Sequence, residues 1–230
     1  MKKTSTRADW LIPAGLILLT AVPLLAGIAR IVGLASAAPV TTQNTRFAAM
    51  PLPVIIHIIS ATLYCIVGAF QFSSGFRRRR PDWHRRAGRV LAVLGIAAGL
   101  SGLWMTQFYA LPASLQGPLL YGVRLLVGGG MIAAIVLAWV AIVRRRDVTQ
   151  HRAWMIRAYA LGQGAGTQVL VMLPVALVFG ETTGLPRDLL MTLAWVINIA
   201  LAEWIIRRQI RRAPVVKIAD RIAKTDTSLT

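Results

Sequence analysis

Residues 47–76 read FAAMPLPVIIHIISATLYCIVGAFQFSSGF, a run without a charged side chain between Arg46 and Arg77. A helix crosses the hydrocarbon core of a bilayer with about 20 predominantly apolar residues, because every backbone polar group must be hydrogen-bonded within the segment. The run exceeds that length. It therefore predicts a membrane-spanning helix together with part of a loop.

Apolar segments of similar length recur on both sides of this run. The first, residues 10–29, is longer than the apolar core of a signal peptide, which has about 7–15 residues, and we interpret it as a retained span. The last contains Asp188 and Glu203 and is the least regular. In all we predict six spans, near residues 10–34, 50–75, 87–109, 118–143, 154–179 and 185–207.

The predicted fold class is therefore all-α, a polytopic bundle of six transmembrane helices. We expect a single six-span domain over residues 1–212, a short cytoplasmic tail over residues 213–230, and no second soluble domain. The composition agrees, because 56% of the residues are hydrophobic and only 15% are charged, which excludes an ordinary soluble globular protein. The single cysteine, Cys65, excludes an intramolecular disulfide.

The distribution of basic residues predicts the orientation. Of 26 lysines and arginines, 22 fall within residues 1–9, 77–89, 144–157 and 207–230, which alternate with the spans. Because cytoplasmic segments retain positive charge, these segments and both termini are predicted to be cytoplasmic. The expected partner is then the anionic inner leaflet of a bacterial inner membrane, and not nucleic acid. Four basic residues remain for the external side: Arg30, Arg46, Arg124 and Arg187.

Two of the basic segments resemble each other. Three consecutive arginines precede His84-Arg85 in one segment and His151-Arg152 in the other. One interpretation is an internal duplication that relates two helical hairpins by an axis along the membrane normal. The other is that arginine clusters accumulate in any cytoplasmic loop.

His84 and His151 are the candidate cofactor ligands. The third histidine, His57, is predicted to lie on the order of 30 Å away, toward the external side. Because a bis-histidine haem takes its two imidazoles from neighbouring helices, haem is the candidate cofactor, and a metal ion at the same place is a variant of this hypothesis. The alternative is that both histidines contact lipid head groups or helix ends.

A second candidate site lies within the span at residues 50–75. His57, Tyr64 and Gln71 fall on one helical face. Polar and ionisable residues inside a membrane usually face the bundle interior or a water-filled cavity. We expect Arg124 at the depth of His57 and Gln107 near the same end of its own span, which predicts an intramembrane polar site. The alternative is a packing seam.

Arg157 and Glu203 are predicted to form a structural ion pair. They lie at matching depth on the last two spans, and a lone charge near hydrocarbon is costly. Two GxxxG spacings, starting at Gly95 and Gly162, favour close helix contacts. Such small-residue faces predict a homo-oligomer or a membrane partner.

The chain resembles a known family through several short motifs. They are His84-Arg85 with Gly88-Arg89, His151-Arg152 with Trp154-Met155, and residues 157–161, together with His57, Gly68, Gln71-Phe72, Asn198 and Glu203-Trp204. Over residues 50–207, these positions resemble the bacterial predicted-membrane-protein family named domain of unknown function twenty-three-oh-six. The resemblance implies a multi-pass inner-membrane protein with a shared site or scaffold at these positions, and it brings no activity with it.

Three hypotheses about function follow, and the sequence does not decide whether the protein is an enzyme. The first is a multi-pass inner-membrane protein with a haem-associated or redox-linked role at His84 and His151. The second is a small transporter or lipid-interacting protein that uses the polar face of His57. The third is a structural membrane subunit without chemistry. The loops are too short for the nucleophile elbow of a hydrolase.

Overall fold

The computed structural model describes residues 8–36, 39–41 and 44–226, without the side chains of residues 8 and 211–226. This part of the chain contains helices and no strand, which confirms the predicted all-α class. The helices are α1 (Ala8–Ala35), α2 (Thr45–Ala49), α3 (Pro51–Ala69), α4 (Ser74–Arg79), α5 (Pro81–Phe108), α6 (Pro118–Val143), α7 (Val148–Gly162), α8 (Gly164–Phe179) and α9 (Gly184–Asp226), and a 3₁₀ turn over Phe70–Phe72 joins α3 to α4.

Five segments of the described residues are long and apolar enough to cross a membrane. They are Asp9–Ala35, Pro51–Phe72, Pro81–Phe108, Pro118–Val143 and Gly184–Ile210. The pair α7 and α8 forms a sixth candidate span that is bent by 44° at a short break. The protein is therefore a bundle of five or six membrane-spanning segments, in agreement with the predicted polytopic fold.

The bend between α7 and α8 is a difference from the single span predicted over residues 154–179. Gln163 leaves the helical backbone conformation, with φ −78° and ψ 2°, and it lies between Gly162 and Gly164, where helix propensity is low. Its side chain is buried, and Nε2 donates a hydrogen bond to the Tyr159 hydroxyl at 2.8 Å. The Thr20 hydroxyl donates to Oε1 at 3.3 Å. These buried hydrogen bonds stabilise the break.

The first helix packs into the bundle. α1 contacts α3 and α8, and its glycines and theirs allow a close approach: a Cβ added at Gly27 would lie 2.8 Å from Cγ2 of Ile58. At the start of α1, the buried Asp9 carboxylate accepts hydrogen bonds from Gly75 N at 2.9 Å and Ser74 Oγ at 3.1 Å. The start of α1 is thereby held beside α4.

The two ends of the bundle differ in charge. One end, here named the Arg-rich end, carries α4, the starts of α5 and α7, and the arginines of residues 77–89 and 144–146. The other end, named the outer end, carries the connections around residues 44–50, 109–117 and 180–183. Hydrogen bonds join these connections, from the Tyr109 hydroxyl to Met50 O at 2.7 Å and from Gly184 N to Ser114 O at 2.9 Å.

The interior between α3, α5, α6 and α7 is built from a few large side chains among small ones. Tyr64, Leu91, Ile135 and Tyr159 pack together here with alanines, Cys65 and Met131. A Cβ added at Gly95 would lie 2.6 Å from Cδ1 of Ile135 and 2.7 Å from Cε2 of Tyr64. The two GxxxG glycine pairs therefore make contacts within the chain, and the expected homo-oligomer or membrane partner stays a prediction.

The last helix continues beyond the membrane-spanning segment. The helix α9 runs to Asp226, beyond the predicted end of the last span at residue 207. The division into a domain over residues 1–212 and a tail over residues 213–230 is not marked by a break, and it stays a prediction. The side chains of the tail lie outside the described part.

The charge difference between the two ends predicts the topology. Reporter fusions after Phe76 and Val143 should show a cytoplasmic location, and fusions at Ser114 and Thr183 an external one, because the first two sites lie beside the arginine clusters. The measurement is the activity of a reporter that works on only one side of the membrane. An exchange of any site between the two groups would contradict the topology.

Candidate functional site

A cavity of about 400 Å³ lies in the outer half of the bundle. Its walls come from α2, α3, α5, α6, the end of α7, α8 and α9, and from the loop at residues 109–115. Apolar side chains, among them Val127, Met131, Leu161 and Met191, form much of its surface. A concave, mostly apolar site with a few polar groups is typical of small-molecule binding sites.

Three arginines from separate elements line this cavity: Arg46 of α2, Arg124 of α6 and Arg187 of α9. The guanidinium of Arg124 donates to Oε1 of Gln116, and Nε of Arg187 donates to Leu115 O at 3.4 Å. Each of these bonds uses one of the five N–H donors of a guanidinium. The loop at residues 115–116 thus holds Arg124 and Arg187 in place, and both retain N–H donors for a ligand.

Positive charge is crowded where Arg46 lies. Its guanidinium carbon is 4.5 Å from the centroid of the Phe47 ring, and that of Arg30 is 4.4 Å from the same centroid. Burial, together with the neighbouring charge of Arg30, lowers the pKa of Arg46. An anion bound beside Arg46 would favour its charged form and so raise this pKa again.

No carboxylate lines the cavity among the residues that the structure describes. The nearest acidic side chain in sequence to Arg187 is Asp188, which is only 1% exposed. Its two oxygens accept hydrogen bonds from Gly117 N at 3.2 Å and Leu120 N at 3.1 Å, at the start of α6. This carboxylate therefore caps a helix, where the macrodipole favours its charge.

His57 lies in the wall of the cavity in a defined orientation. Its Nδ1 is 3.0 Å from Ala98 O and 3.3 Å from the Ser101 hydroxyl. Because a carbonyl oxygen only accepts, Nδ1 of His57 must carry a hydrogen and donate it. In the neutral ring, Nε2 is then the acceptor.

The predicted intramembrane polar site is brought together only in part. His57, Tyr64 and Arg124 line the cavity, whereas Gln71 and Gln107 do not. Gln71 lies 14 residues beyond His57 on the sequence, so it is about 20 Å away along the helix direction, near the Arg-rich end. Gln107 faces outward, where its Oε1 accepts a hydrogen bond from the exposed Tyr121 hydroxyl. The two glutamines therefore do not lie with His57, Tyr64 and Arg124 on the cavity wall, and a functional role for any of the five residues stays a prediction.

The sequence reasoning did not assign Arg46, Arg187, Gln168 and Trp195 to a site, although all four line the cavity. Gln168 and Trp195 gave no signal, because single polar residues in apolar spans are common at helix contacts. Arg46 and Arg187 did give one. They belong to the four basic residues outside the segments predicted to be cytoplasmic, and their isolation from every other basic cluster indicates a role other than orientation.

Four buried polar atoms in the described part of the bundle have no hydrogen-bond partner. They are Arg46 Nε, Tyr64 Oη, Gln71 Nε2 and His84 Nδ1. Arg46 precedes α3, Tyr64 lies at its middle, Gln71 follows its end, and His84 opens α5 at the Arg-rich end. Each such group costs about 1–3 kcal/mol, so four of them in the described residues are an unusual feature.

The candidate haem ligands occupy equivalent places at the Arg-rich end. His84 is the fourth residue of α5 and His151 is the fourth residue of α7. Nδ1 of His151 donates to Ala138 O at 2.9 Å, whereas Nδ1 of His84 is buried without a partner. Within the described ranges, no group of three or more His, Cys, Asp or Glu side chains is arranged to hold a metal ion. Haem ligation stays a prediction.

Arg157 and Glu203 meet in a bidentate ion pair. Nε of Arg157 lies 2.5 Å from Oε1 of Glu203, and Nη2 lies 3.0 Å from Oε2. The guanidinium carbon of Arg157 is also 4.6 Å from the centroid of the Trp154 ring. The side chains are 27% and 30% exposed, so the pair is partly shielded from solvent. It joins α7 to α9 and does not reach the cavity.

Residues 54–206 match the family described as Predicted membrane protein (DUF2306). The chain belongs to this family. The match covers His57, Tyr64, Arg124 and Arg187 of the cavity, and it leaves α1 and Arg46 outside. No curated protein and no solved structure matches the chain. Membership confirms a membrane protein and assigns no activity.

The ion pair of Arg157 and Glu203 predicts a coupled effect on stability. Arg157→Gln or Glu203→Gln alone should lower the stability in detergent, because each leaves a partly buried charge unpaired. The double variant should lose less than the sum of the two, by about 1–2 kcal/mol. The measurement is a double-mutant cycle of unfolding free energies. Strictly additive losses would show that the two side chains do not interact.

Proposed function

We propose that the protein binds an anionic amphiphile in the outer cavity and carries it across the membrane. One observation supports this above all others. Four basic residues lie outside the four basic segments of the sequence, and three of them, Arg46, Arg124 and Arg187, line the same cavity. Independent orientation signals would not be expected to converge in this way.

The chemistry of the cavity defines the class of ligand. Guanidinium groups match carboxylate, phosphate and sulfate groups in geometry and charge, and a low-dielectric surrounding strengthens the attraction. The deeper surface around Met131, Leu161 and Met191 is apolar and suits a hydrocarbon or aromatic body. The ligand we propose therefore has an anionic group at the outer end and an apolar part below it.

Transport, as distinct from binding alone, is supported by the region below the cavity. Tyr64, Tyr159, Leu91 and Ile135 close the bundle between the cavity and the Arg-rich end. Tyr64, Gln71 and His84 follow in that direction, and each has a buried polar atom without a hydrogen-bond partner. Such atoms suit a transport path whose polar groups are hydrated only when the path is open. The break at Gln163 lies beside the cavity, and transporters place broken helices at their binding sites.

The other hypotheses have less support. Nothing in the geometry or in the family favours the haem-associated or redox-linked role at His84 and His151, and we do not propose it. A purely structural subunit gives no reason for three arginines around a cavity. The proposed location is a bacterial inner membrane with the Arg-rich end on its anionic inner leaflet. The support is the unequal distribution of basic residues between the two ends of the bundle, because positive charge is retained on the cytoplasmic side.

Arginine variants test the binding site. We expect the purified protein in phosphatidylcholine nanodiscs to bind octyl sulfate. Arg124→Gln or Arg187→Gln should raise the Kd at least about tenfold, because each removes a charge-assisted hydrogen bond. Isothermal titration measures the Kd. The matched control is Arg144→Gln, an exposed arginine of the Arg-rich end. Nanodiscs with added phosphatidylglycerol show whether an anionic lipid competes for the site.

Equal losses in Arg144→Gln and in the cavity variants would contradict the site, and so would equally tight binding of octyltrimethylammonium. Transport is tested separately with radiolabelled octyl sulfate and sealed proteoliposomes. The sulfate keeps its charge at every pH used, so the uptake above that of protein-free liposomes depends on the protein. Binding of octyl sulfate without any such uptake would contradict transport and would leave only the binding function.

A further inference from the structure

We propose that His57 takes up one proton when an anion enters the outer cavity, so that the proton and the anion are bound and carried together. This inference rests on the proposed function, because it concerns the same cavity. It adds to the proposed function the ion, a proton, to which anion transport is coupled. The proton comes from solvent and forms a bond to Nε2 of His57, and no group is oxidised or reduced.

The hydrogen bonds of His57 decide which nitrogen can take up the proton. Nδ1 already carries a hydrogen and donates it to Ala98 O at 3.0 Å, with the Ser101 hydroxyl 3.3 Å away. Protonation therefore adds a hydrogen at Nε2 and leaves this anchor unchanged. The ring does not need to rotate, so the same orientation serves both charge states.

The charged groups around His57 are almost all positive. α5 presents Ala98, Ser101 and Gly102 to the ring, and none of these titrates. Arg124 of α6 lines the same cavity as His57. The other charged and titratable groups of the cavity or its rim are Arg46, Arg187, Tyr64, Cys65 and Tyr109 on its walls, Arg30 behind Phe47, and Asp188 at the start of α6.

This arrangement couples protonation to anion binding. In the empty cavity, a charge on His57 would add to those of Arg46, Arg124 and Arg187, and no carboxylate among the described residues lines the wall to compensate it. An anion held by the arginines replaces this repulsion by attraction. By linkage, the anion then raises the affinity of His57 for a proton, and a proton raises the affinity for the anion by the same factor.

Histidine is the only group of the cavity wall suited to this role. Tyrosine, cysteine and arginine titrate at about pH 8.5 or above in the absence of strong perturbation, whereas histidine titrates near pH 6.5. His57 is the only histidine that lines the cavity. A monovalent anion and one proton together carry no net charge, so the coupled transport should respond to a pH gradient and not to the membrane potential.

Proton uptake is measured directly by isothermal titration. Octyl sulfate is added to the protein in phosphatidylcholine nanodiscs, near pH 7.5, in two buffers with different protonation enthalpies. We expect about one proton taken up per octyl sulfate bound, and a Kd that rises by up to about tenfold per pH unit in the alkaline range. The sulfate does not titrate, so the proton must bind to the protein.

The variant His57→Gln removes the titrating nitrogen and keeps an amide N–H that can donate to Ala98 O. We expect it to bind octyl sulfate without proton uptake and with a Kd independent of pH. His151→Gln is the matched control, because His151 lies at the Arg-rich end and donates to Ala138 O in the same manner. It should keep the proton uptake of the wild type.

The outcomes separate this inference from the proposed function. Binding of octyl sulfate by the wild type without proton uptake would overturn the inference and leave the anion site intact, and the wild-type measurement decides this even if the His57 variant does not fold. Proton uptake that persists in His57→Gln would also overturn it. Failure of the wild type to bind octyl sulfate at all would overturn both proposals.

Discussion

The cost of placing charge in hydrocarbon governs the arrangement of this chain. Most of its cations lie in segments at one end of the bundle, where water and lipid head groups solvate them. The charges that remain deeper are compensated: Glu203 pairs with Arg157, and Asp188 accepts two backbone hydrogens at the start of α6. Among the described residues, three arginines and no carboxylate line the cavity, and this excess of positive charge is the physical basis of the proposed anion site.

Glycines determine where tyrosine side chains fit between the packed helices. A Cβ at Gly162 would lie 2.9 Å from Cε1 of Tyr64, and one at Gly68 would lie 2.7 Å from Cε2 of Tyr159, so these positions admit aromatic rings where helices meet. The two tyrosine rings, with centroids 5.8 Å apart, separate the outer cavity from the Arg-rich end. Gly162 also adjoins Gln163, where the chain bends by 44° between α7 and α8.

Part of the candidate site could be predicted from the sequence, and particular residues show why the rest could not. Arg157 and Glu203 were expected at one depth, and depth follows from counting residues along two spans. His57 and Arg124 were related in the same way. Gln107 was not, because residues at one depth share a site only if their helices are rotated toward each other. Arg46 and Arg187 were visible as isolated charges, but only the folded chain brings them to one cavity.

The sequence by itself determined the membrane class, the approximate spans and the separation of the basic segments, because hydropathy and charge act on each segment of about 20 residues independently of its neighbours. Only the tertiary structure decided the bend at Gln163, the packing of α1 against α3 and α8, and the meeting of Arg46, Arg124 and Arg187 around His57. These features depend on which helix faces pack together. That choice is made by contacts between residues far apart in the chain, which no local pattern records.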